Sequence, residues 1–298
     1  DVEAALRTRT HSTEAVGDGA LRFSIGLGKK VLLANLLGEL CAALKAAEPS
    51  VLGSWGYAVS LCLQIYFDFS GYSDMAIGLG TMLGFRFPEN FNYPFIAKSA
   101  TEFWRRWHMT LGSWFRDYVY IPLGGSRVGA WKQVRNILIV WCLTGFWHGA
   151  SWNFVLWGLY FFVFIAVERL FLGKLLERIP AVFSHLYLLI IVFFGWAIFR
   201  FRQPVLLNTV LGGMFGANGN PLTSFEFNTI FLNHIFFLLA AAIATTPLLK
   251  KLGERCSNNL RTTYVYNAVQ LFVPPLLLLL STAALVGNSY NPFLYFQF

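Results

Sequence analysis

Ser151-Trp152-Asn153-Phe154-Val155-Leu156-Trp157-Gly158-Leu159-Tyr160-Phe161-Phe162-Val163-Phe164-Ile165-Ala166-Val167 carries no charge from end to end. A bilayer core requires about 20 consecutive apolar residues of a helix, and this run comes close to that length. Working outward, three similar runs follow at about 182–199, 229–249 and 265–286, the last with Pro274-Pro275, which predict a kink. Arg169, Lys174 and Arg178 fall in one intervening loop, and Lys250, Lys251, Arg255 and Arg261 in another, whereas residues 203–228 contain no Lys or Arg. The positive-inside rule makes the two basic loops cytoplasmic and the neutral one external.

Composition agrees. Of 298 residues, 56% are hydrophobic, 17% aromatic and only 13% charged, with a mean hydropathy of +0.54. A soluble domain has about 45–50% apolar and about 25% charged residues. The fold class is therefore all-α, a polytopic transmembrane helical bundle with short amphipathic helices at the interface. The net charge of +8 does not indicate nucleic acid, because the basic residues sit between apolar runs. Cys41, Cys62, Cys142 and Cys256 are scattered, show no C-x-x-C spacing and read as reduced, packed thiols.

Upstream, residues 1–22 are polar and read as a loop or frayed helix, and residues 23–298 as a single membrane domain. Residues 31–47 show helical apolar spacing and 51–69 a plausible span. Ser73 is an N-cap candidate, with Asp74 in the first turn of the helix it would open. Pro88 to Pro94 reads as an irregular loop. The chain begins at Asp1 inside a polar stretch without a signal-peptide pattern, and is expected to be a fragment lacking amino-terminal spans.

Two histidines stand in this apolar background: His108 in Phe103-Trp104-Arg105-Arg106-Trp107-His108, and His148 in Phe146-Trp147-His148-Gly149. Imidazole is costly inside a membrane and is the side chain best suited to accept a hydroxyl proton near neutral pH. Ser99-Ala100-Thr101-Glu102 fits a capping box opening a helix over 102–118. On that helix Phe103, Trp104, Trp107, Leu111, Trp114, Phe115 and Tyr118 share one arc, and Arg105, Arg106, Ser113, Arg116 and Asp117 the other. His108 lies at the edge of the apolar arc; an interfacial anchor is the plainer reading of this segment alone.

The chain should leave the helix at Pro122 and turn at Gly124-Gly125. Arg127, Lys132, Arg135 and the free amides there can receive an anion, although an ordinary basic loop is the simpler alternative. A helix from Lys132 to His148 is about 24 Å long, short of the roughly 30 Å hydrocarbon core, and Gly149 stops it. The turn at His148 therefore falls inside the bundle, where a neutral imidazole is favoured. A packing histidine donating to a carbonyl is the alternative. Ser151 caps the next helix near Trp152-Asn153.

Asp68 and Asp74 lie among aromatics in Gln64-Ile65-Tyr66-Phe67-Asp68-Phe69-Ser70-Gly71-Tyr72-Ser73-Asp74. Asp74 is explained by a helix N-terminus; Asp68 needs a partner, such as an arginine or one of the histidines. No His, Asp or Cys pair has metal-ligand spacing, so no metal is expected. No Gly-x-Ser-x-Gly elbow supports a serine nucleophile.

Three blocks carry a resemblance: Gln64 to Gly78; Phe103-Trp104-Arg105-Arg106-Trp107-His108 through Arg116-Asp117-Tyr118 to Pro122-Leu123-Gly124-Gly125; and Trp147-His148-Gly149-Ala150. Together they cover the motif-bearing part, 22–160, and are similar to the membrane-bound O-acyltransferases, in particular the bacterial alginate O-acetyltransferase branch. The teichoic-acid D-alanyl transfer protein is a relative. Residues 182–298 hold the carboxyl-terminal spans, and Tyr290 to Phe298 also resembles this branch.

The resemblance implies a helical bundle around a central tunnel, with an acyl donor arriving from the cytoplasm and a hydroxyl acceptor from outside. His148 matches the family's catalytic histidine and His108 the second active-site histidine. Asp68, Asp74, Trp107, Trp147 and Asn153 are candidate supporting or tunnel-lining residues, and Arg105, Arg106, Arg116, Arg127, Lys132 and Arg135 candidate donor-docking residues. The implied donor is acetyl-CoA or an acyl-phosphopantetheine carrier, a substrate rather than a bound cofactor. Implied partners are the bilayer, an extracytoplasmic polysaccharide such as alginate, and accessory acetyltransferase proteins or an acyl carrier protein, at a bacterial inner membrane. The alternatives are D-alanyl transfer to teichoic acid, a proton- or ion-coupled transporter, and a non-catalytic scaffold.

Overall fold

A computed structural model describes residues 2–286. Its elements run α1 (Val2–Thr8), α2 (Thr13–Gly28), α3 (Asn35–Ala46), α4 (Val51–Met82), α5 (Ala100–Trp104), α6 (Met109–Phe115) and α7 (Ala130–His148). They continue with α8 (Trp152–Val167), α9 (Gly173–Arg178), α10 (Ala181–Arg200), α11 (Pro204–Met214), α12 (Phe225–Ala244), α13 (Leu248–Ser257) and α14 (Thr263–Val286). π-helical turns at Lys29–Ala34 and Glu168–Leu172 join neighbouring helices, and one at Arg116–Tyr120 extends α6. Among the described residues β pairing is confined to a bridge between Phe91 and Trp107.

The all-α expectation holds. Among the described residues four helical stretches are long and apolar enough to cross a membrane: Trp152–Arg178, Ala181–Arg200, Phe225–Ala244 and Thr263–Val286. Phe236 on α12 is 84% exposed and Leu279 on α14 is 68% exposed, surfaces that lipid rather than water would cover. Trp131, Trp152 and Tyr264 stand exposed in the first turns of α7, α8 and α14, as interfacial aromatics do. α14 runs through both Pro274 and Pro275. The resemblance at Tyr290 to Phe298 falls outside the described residues.

Several boundaries differ from expectation. Of the two readings of residues 1–22, helix forms over Val2–Thr8 and again from Thr13, where Ser12 Oγ caps α2 by accepting from Ala15 N. Ser73 caps nothing: α4 continues through it, and Asp74 sits in its interior. The predicted helix over 102–118 is broken at residues 105–108.

The chain resolves into two compact units, each built from separated segments. Of the described residues, one comprises 2–40, 63–90 and 237–286; within it α2 packs against the second half of α4 through paired glycines. A Cβ on Gly19 would lie 2.6 Å from Gly78 O, and one on Gly26 would lie 2.6 Å from Gly71 O, so the two backbones touch. The other comprises residues 41–62 and 91–236, and contains both histidines. There α7 and α8 form a helical hairpin with the same device: a Cβ on Gly145 would meet Phe154 O at 2.6 Å, and one on Gly158 would meet Trp141 O.

Candidate functional site

His108 does not lie on a helix face. Its backbone is left-handed (φ 48°, ψ 52°) at the start of α6, an uncommon conformation for a residue other than glycine. The cause is local pairing: Asn92 N donates to Arg106 O at 2.9 Å, Arg106 Nη1 donates back to Asn92 O at 3.2 Å, and Phe91 bridges Trp107. These bonds accompany the break in helical register at residues 105–108. The helix upstream is capped as the sequence predicts, with Ser99 Oγ accepting from Glu102 N at 3.0 Å. Glu102 reaches back to Lys98 N rather than to Ser99 N.

His148 is the last residue of α7. Gly149, at φ +152°, turns the chain, and its N–H closes the helix on Phe146 O. Ser151 begins α8 through its carbonyl, which accepts from Phe154 N, while its side chain makes no cap bond. Asn153 Nδ2 donates to Phe199 O at 2.7 Å, tying the start of α8 to the end of α10.

The two histidines meet across Trp147. Its ring centroid lies 6.0 Å from His108 and 4.9 Å from His148. Trp157 and Phe199 stand edge-on to the His148 ring, each at 5.0 Å. Beyond them Trp104 touches Trp141, Trp157 and Phe161 at 5.0, 5.4 and 4.9 Å, and Trp107 lies 4.9 Å from Trp196. The buried indole nitrogens of Trp104, Trp157 and Trp196 have no hydrogen-bond acceptor among the described residues. Both histidines fall outside the four candidate spans. Burial holds the His108 imidazole below its ordinary range. Burial does the same at His148, with a smaller contribution from the neighbouring His108 charge.

On the other side of α5 the arrangement is ionic. A cavity of about 620 Å³ is lined by Lys98, Arg105, Arg169 and Lys174, with Glu102, Glu168 and Glu177 among the remaining walls. Glu168 is buried and committed: it accepts from Ala100 N (2.7 Å), Thr101 N (2.8 Å), Thr101 Oγ1 (2.6 Å) and Tyr187 OH (3.1 Å). Glu102 is paired with Arg106 at 2.9 Å. Four cations thus stand against three carboxylates, an excess of one positive charge, and Arg105 adjoins Trp104 of the aromatic cluster.

The other basic candidates are dispersed. Arg116 pairs with its neighbour Asp117 at 2.7 Å, Arg135 donates to Asn136 Oδ1 at 2.9 Å, and Arg127 and Lys132 are exposed. Asp68 and Asp74 belong to the other unit. Lys30 pairs with Asp68, and Asp74 binds Arg22 Nη2 and Lys29 Nζ, each at 2.6 Å. Asp74 is therefore explained by two cations, Arg22 on α2 and Lys29 just beyond its end, and not by a helix N-terminus.

Trp157, Phe199, Lys98, Arg169 and Lys174 were not among the sequence candidates for the site. Phe154, Trp157 and Phe161 do recur at helical spacing. In a helix apolar on every side, however, that stripe has no polar background to stand against. Arg169 and Lys174 read only as topogenic loop charges.

A profile of the membrane-bound O-acyltransferase family matches residues 19–209. A probable alginate O-acetylase of Pseudomonas putida is 37% identical across 100% of the chain, which spans 64% of that protein. A peptidoglycan O-acetyltransferase of Helicobacter pylori is 34% identical across 94% of the chain, spanning 56% of that protein. A teichoic acid D-alanyltransferase of Bacillus subtilis is 36% identical over 41% of the chain and 32% of its own length.

Proposed function

Because the chain belongs to the membrane-bound O-acyltransferase family, we propose that it moves an acetyl or similar short acyl group from a cytoplasmic thioester to a hydroxyl of an extracytoplasmic polysaccharide. The observation that carries this reading is the meeting of His108 and His148 across Trp147 inside one aromatic cluster. The similarity to a probable alginate O-acetylase across the whole chain favours acetyl transfer to a glycan over D-alanyl transfer, where the similarity covers less than half of it. The four apolar helices support a multi-pass location, which we place in a bacterial inner membrane with accessory acetyltransferase or carrier proteins as partners.

In the proposed mechanism neutral His148 accepts the proton of the acceptor hydroxyl as its oxygen attacks the thioester carbonyl. The C–S bond breaks, and the proton passes to the departing thiolate. His108 orients the donor or stabilises the developing oxyanion. The cavity at Lys98, Arg105 and Lys174 suits the phosphates of CoA or of a phosphopantetheine carrier. Arg106, Arg116, Arg127, Lys132 and Arg135 contribute the wider basic field that attracts the donor.

Replacing a general base costs about 10²–10⁴ in rate. The full-length His148→Ala enzyme should therefore lose measurable O-acetylation of cell-envelope glycans, read by mass spectrometry, while its abundance in the membrane stays normal. Wild-type product from that variant rules out His148 as the base.

A further inference from the structure

Between two helices able to span a membrane, α12 and α14, the chain forms a short helix of a different kind. α13 reads Leu248-Leu249-Lys250-Lys251-Leu252-Gly253-Glu254-Arg255-Cys256-Ser257. Wound at about 100° per residue, Leu248, Leu249, Leu252, Gly253 and Cys256 fall within one arc of about 140°, and every charged residue falls in the other. We propose that α13 lies in the plane of the cytoplasmic leaflet, and that Lys251 and Arg255 hold the phosphate of an anionic glycerophospholipid. The proposal makes no use of the acyl chemistry given above.

The connections fix the depth of this helix. Residues 245–247 join α12 to α13, a link at most about 14 Å long when extended. Residues 258–262 lead from α13 to α14 through a closed turn: Arg261 N donates to Asn259 Oδ1 and Thr262 Oγ1 to Cys256 O, each at 2.9 Å. α13 is therefore held where both spans end. It packs on α14 through Gly253, where a Cβ would lie 3.4 Å from Tyr266 Cε2. Leu248, Leu249 and Leu252 stay exposed. Three exposed leucines on a basic helix tied to two membrane spans are what an interfacial helix buries at the acyl boundary.

The charges select the lipid. Lys250 has Glu254 one turn on, at 4.0 Å. Lys251 and Arg255, also one turn apart, are exposed, and among the described residues neither forms an ion pair. Like charges at this spacing repel and weaken a helix. An anion between them reverses the sign. Around the helix Arg255 borders Leu248 and Leu252, with Lys251 beside it. A phosphate can thus meet the two cations while its acyl chains follow the leucines, and the long Lys and Arg stems reach to the level of the headgroup. That continuity matches one molecule carrying both a phosphate and acyl chains, whereas an acidic protein surface matches the cations alone. The loop is also the one that the charge pattern places in the cytoplasm, with Arg261 as its fourth cation.

The test uses the full-length enzyme in detergent, with short-chain phosphatidylglycerol and phosphatidylcholine as probes and bound lipid counted by native mass spectrometry. The wild type should bind phosphatidylglycerol about tenfold or more tighter than phosphatidylcholine, since each cation near anionic headgroups contributes about fivefold. Lys251→Gln and Arg255→Gln should each weaken phosphatidylglycerol binding by about fivefold and leave phosphatidylcholine binding unchanged. Both positions are exposed, so packing is undisturbed, and each change leaves three cations in the loop to keep the orientation of the spans. Arg178→Gln, which removes an exposed cytoplasmic cation outside α13, should alter neither affinity. Equal affinity of the wild type for the two lipids overturns the proposal. So does an equal loss in Arg178→Gln, which would make the effect a general field and not a site. Phosphatidylglycerol binding that neither α13 variant alters, with an acidic carrier protein retained through Lys251 and Arg255, also overturns it and gives the surface to a protein.

Discussion

An imidazole serves as a base only while it is neutral, and the rings around His108 and His148 favour that form. Both pKa values are lowered from the ordinary 6.5 by burial, so the folded protein resists a proton that the unfolded chain would already accept. The sign follows. As pH falls below 6.5 the unfolded state binds more protons than the folded state, and stability decreases until the folded pKa is reached. Activity should show the same displacement, with kcat/KM flat through pH 6.5 and its acidic limb at lower pH. In melting curves taken between pH 7 and 5, His148→Gln should have a shallower loss of stability on acidification than the wild type. An acidic limb centred at 6.5 would mean that the histidine that matters is solvated.

At the scale of elements, the site depends on how closely α7 and α8 approach. His148 stands at the end of one arm of this hairpin and Trp157 in the middle of the other, and the gap between the arms is set by Gly145 and Gly158. A methyl group at Gly158 would overlap the Trp141 carbonyl oxygen, and backbone cannot swing aside as a side chain can. Overpacking of this kind costs about 1–3 kcal/mol. Gly158→Ala should therefore lower the melting temperature and reduce kcat, because separating the arms moves Trp157 away from the imidazole. Gly129→Ala, in open space at the start of α7, is the control and should do neither. Equal effects of the two substitutions would show that helix spacing is not what positions His148.

At the scale of the molecule, charge sorts the chemistry. The cavity at α5 and α9 sets four cations, Lys98, Arg105, Arg169 and Lys174, against the carboxylates of Glu102, Glu168 and Glu177. Lys98→Glu and Lys174→Glu should raise the donor KM steeply at low salt and less at high salt, since exposed charges are screened within about 10 Å at 0.1 M. A donor KM that does not respond to salt in these variants would remove the cavity from donor recruitment.

Much of this architecture was legible in the chain itself. Uninterrupted apolar length determined the four candidate spans and the all-α class, because in lipid a backbone must satisfy its own hydrogen bonds and a helix does so within one segment. The end of α7 was equally legible, since Gly149 is a local conformational signal. Local signals failed where distant residues provided a stronger partner. Ser73-Asp74 looked like a helix start, yet Arg22 and Lys29 gave Asp74 its counter-charges and the helix ran on. The arc drawn through 102–118 gave way because residues 91–92 pair with 106–107 and set His108 in a left-handed backbone.

By itself the sequence determined which residue types carry the chemistry and which segments enter lipid, because both follow from transfer free energies that act residue by residue. Tertiary structure alone decided that His108 and His148 share Trp147 and that Arg105 joins Lys98 and Lys174. Those pairings depend on helices separated by tens of residues approaching to backbone contact, and no local periodicity encodes that distance.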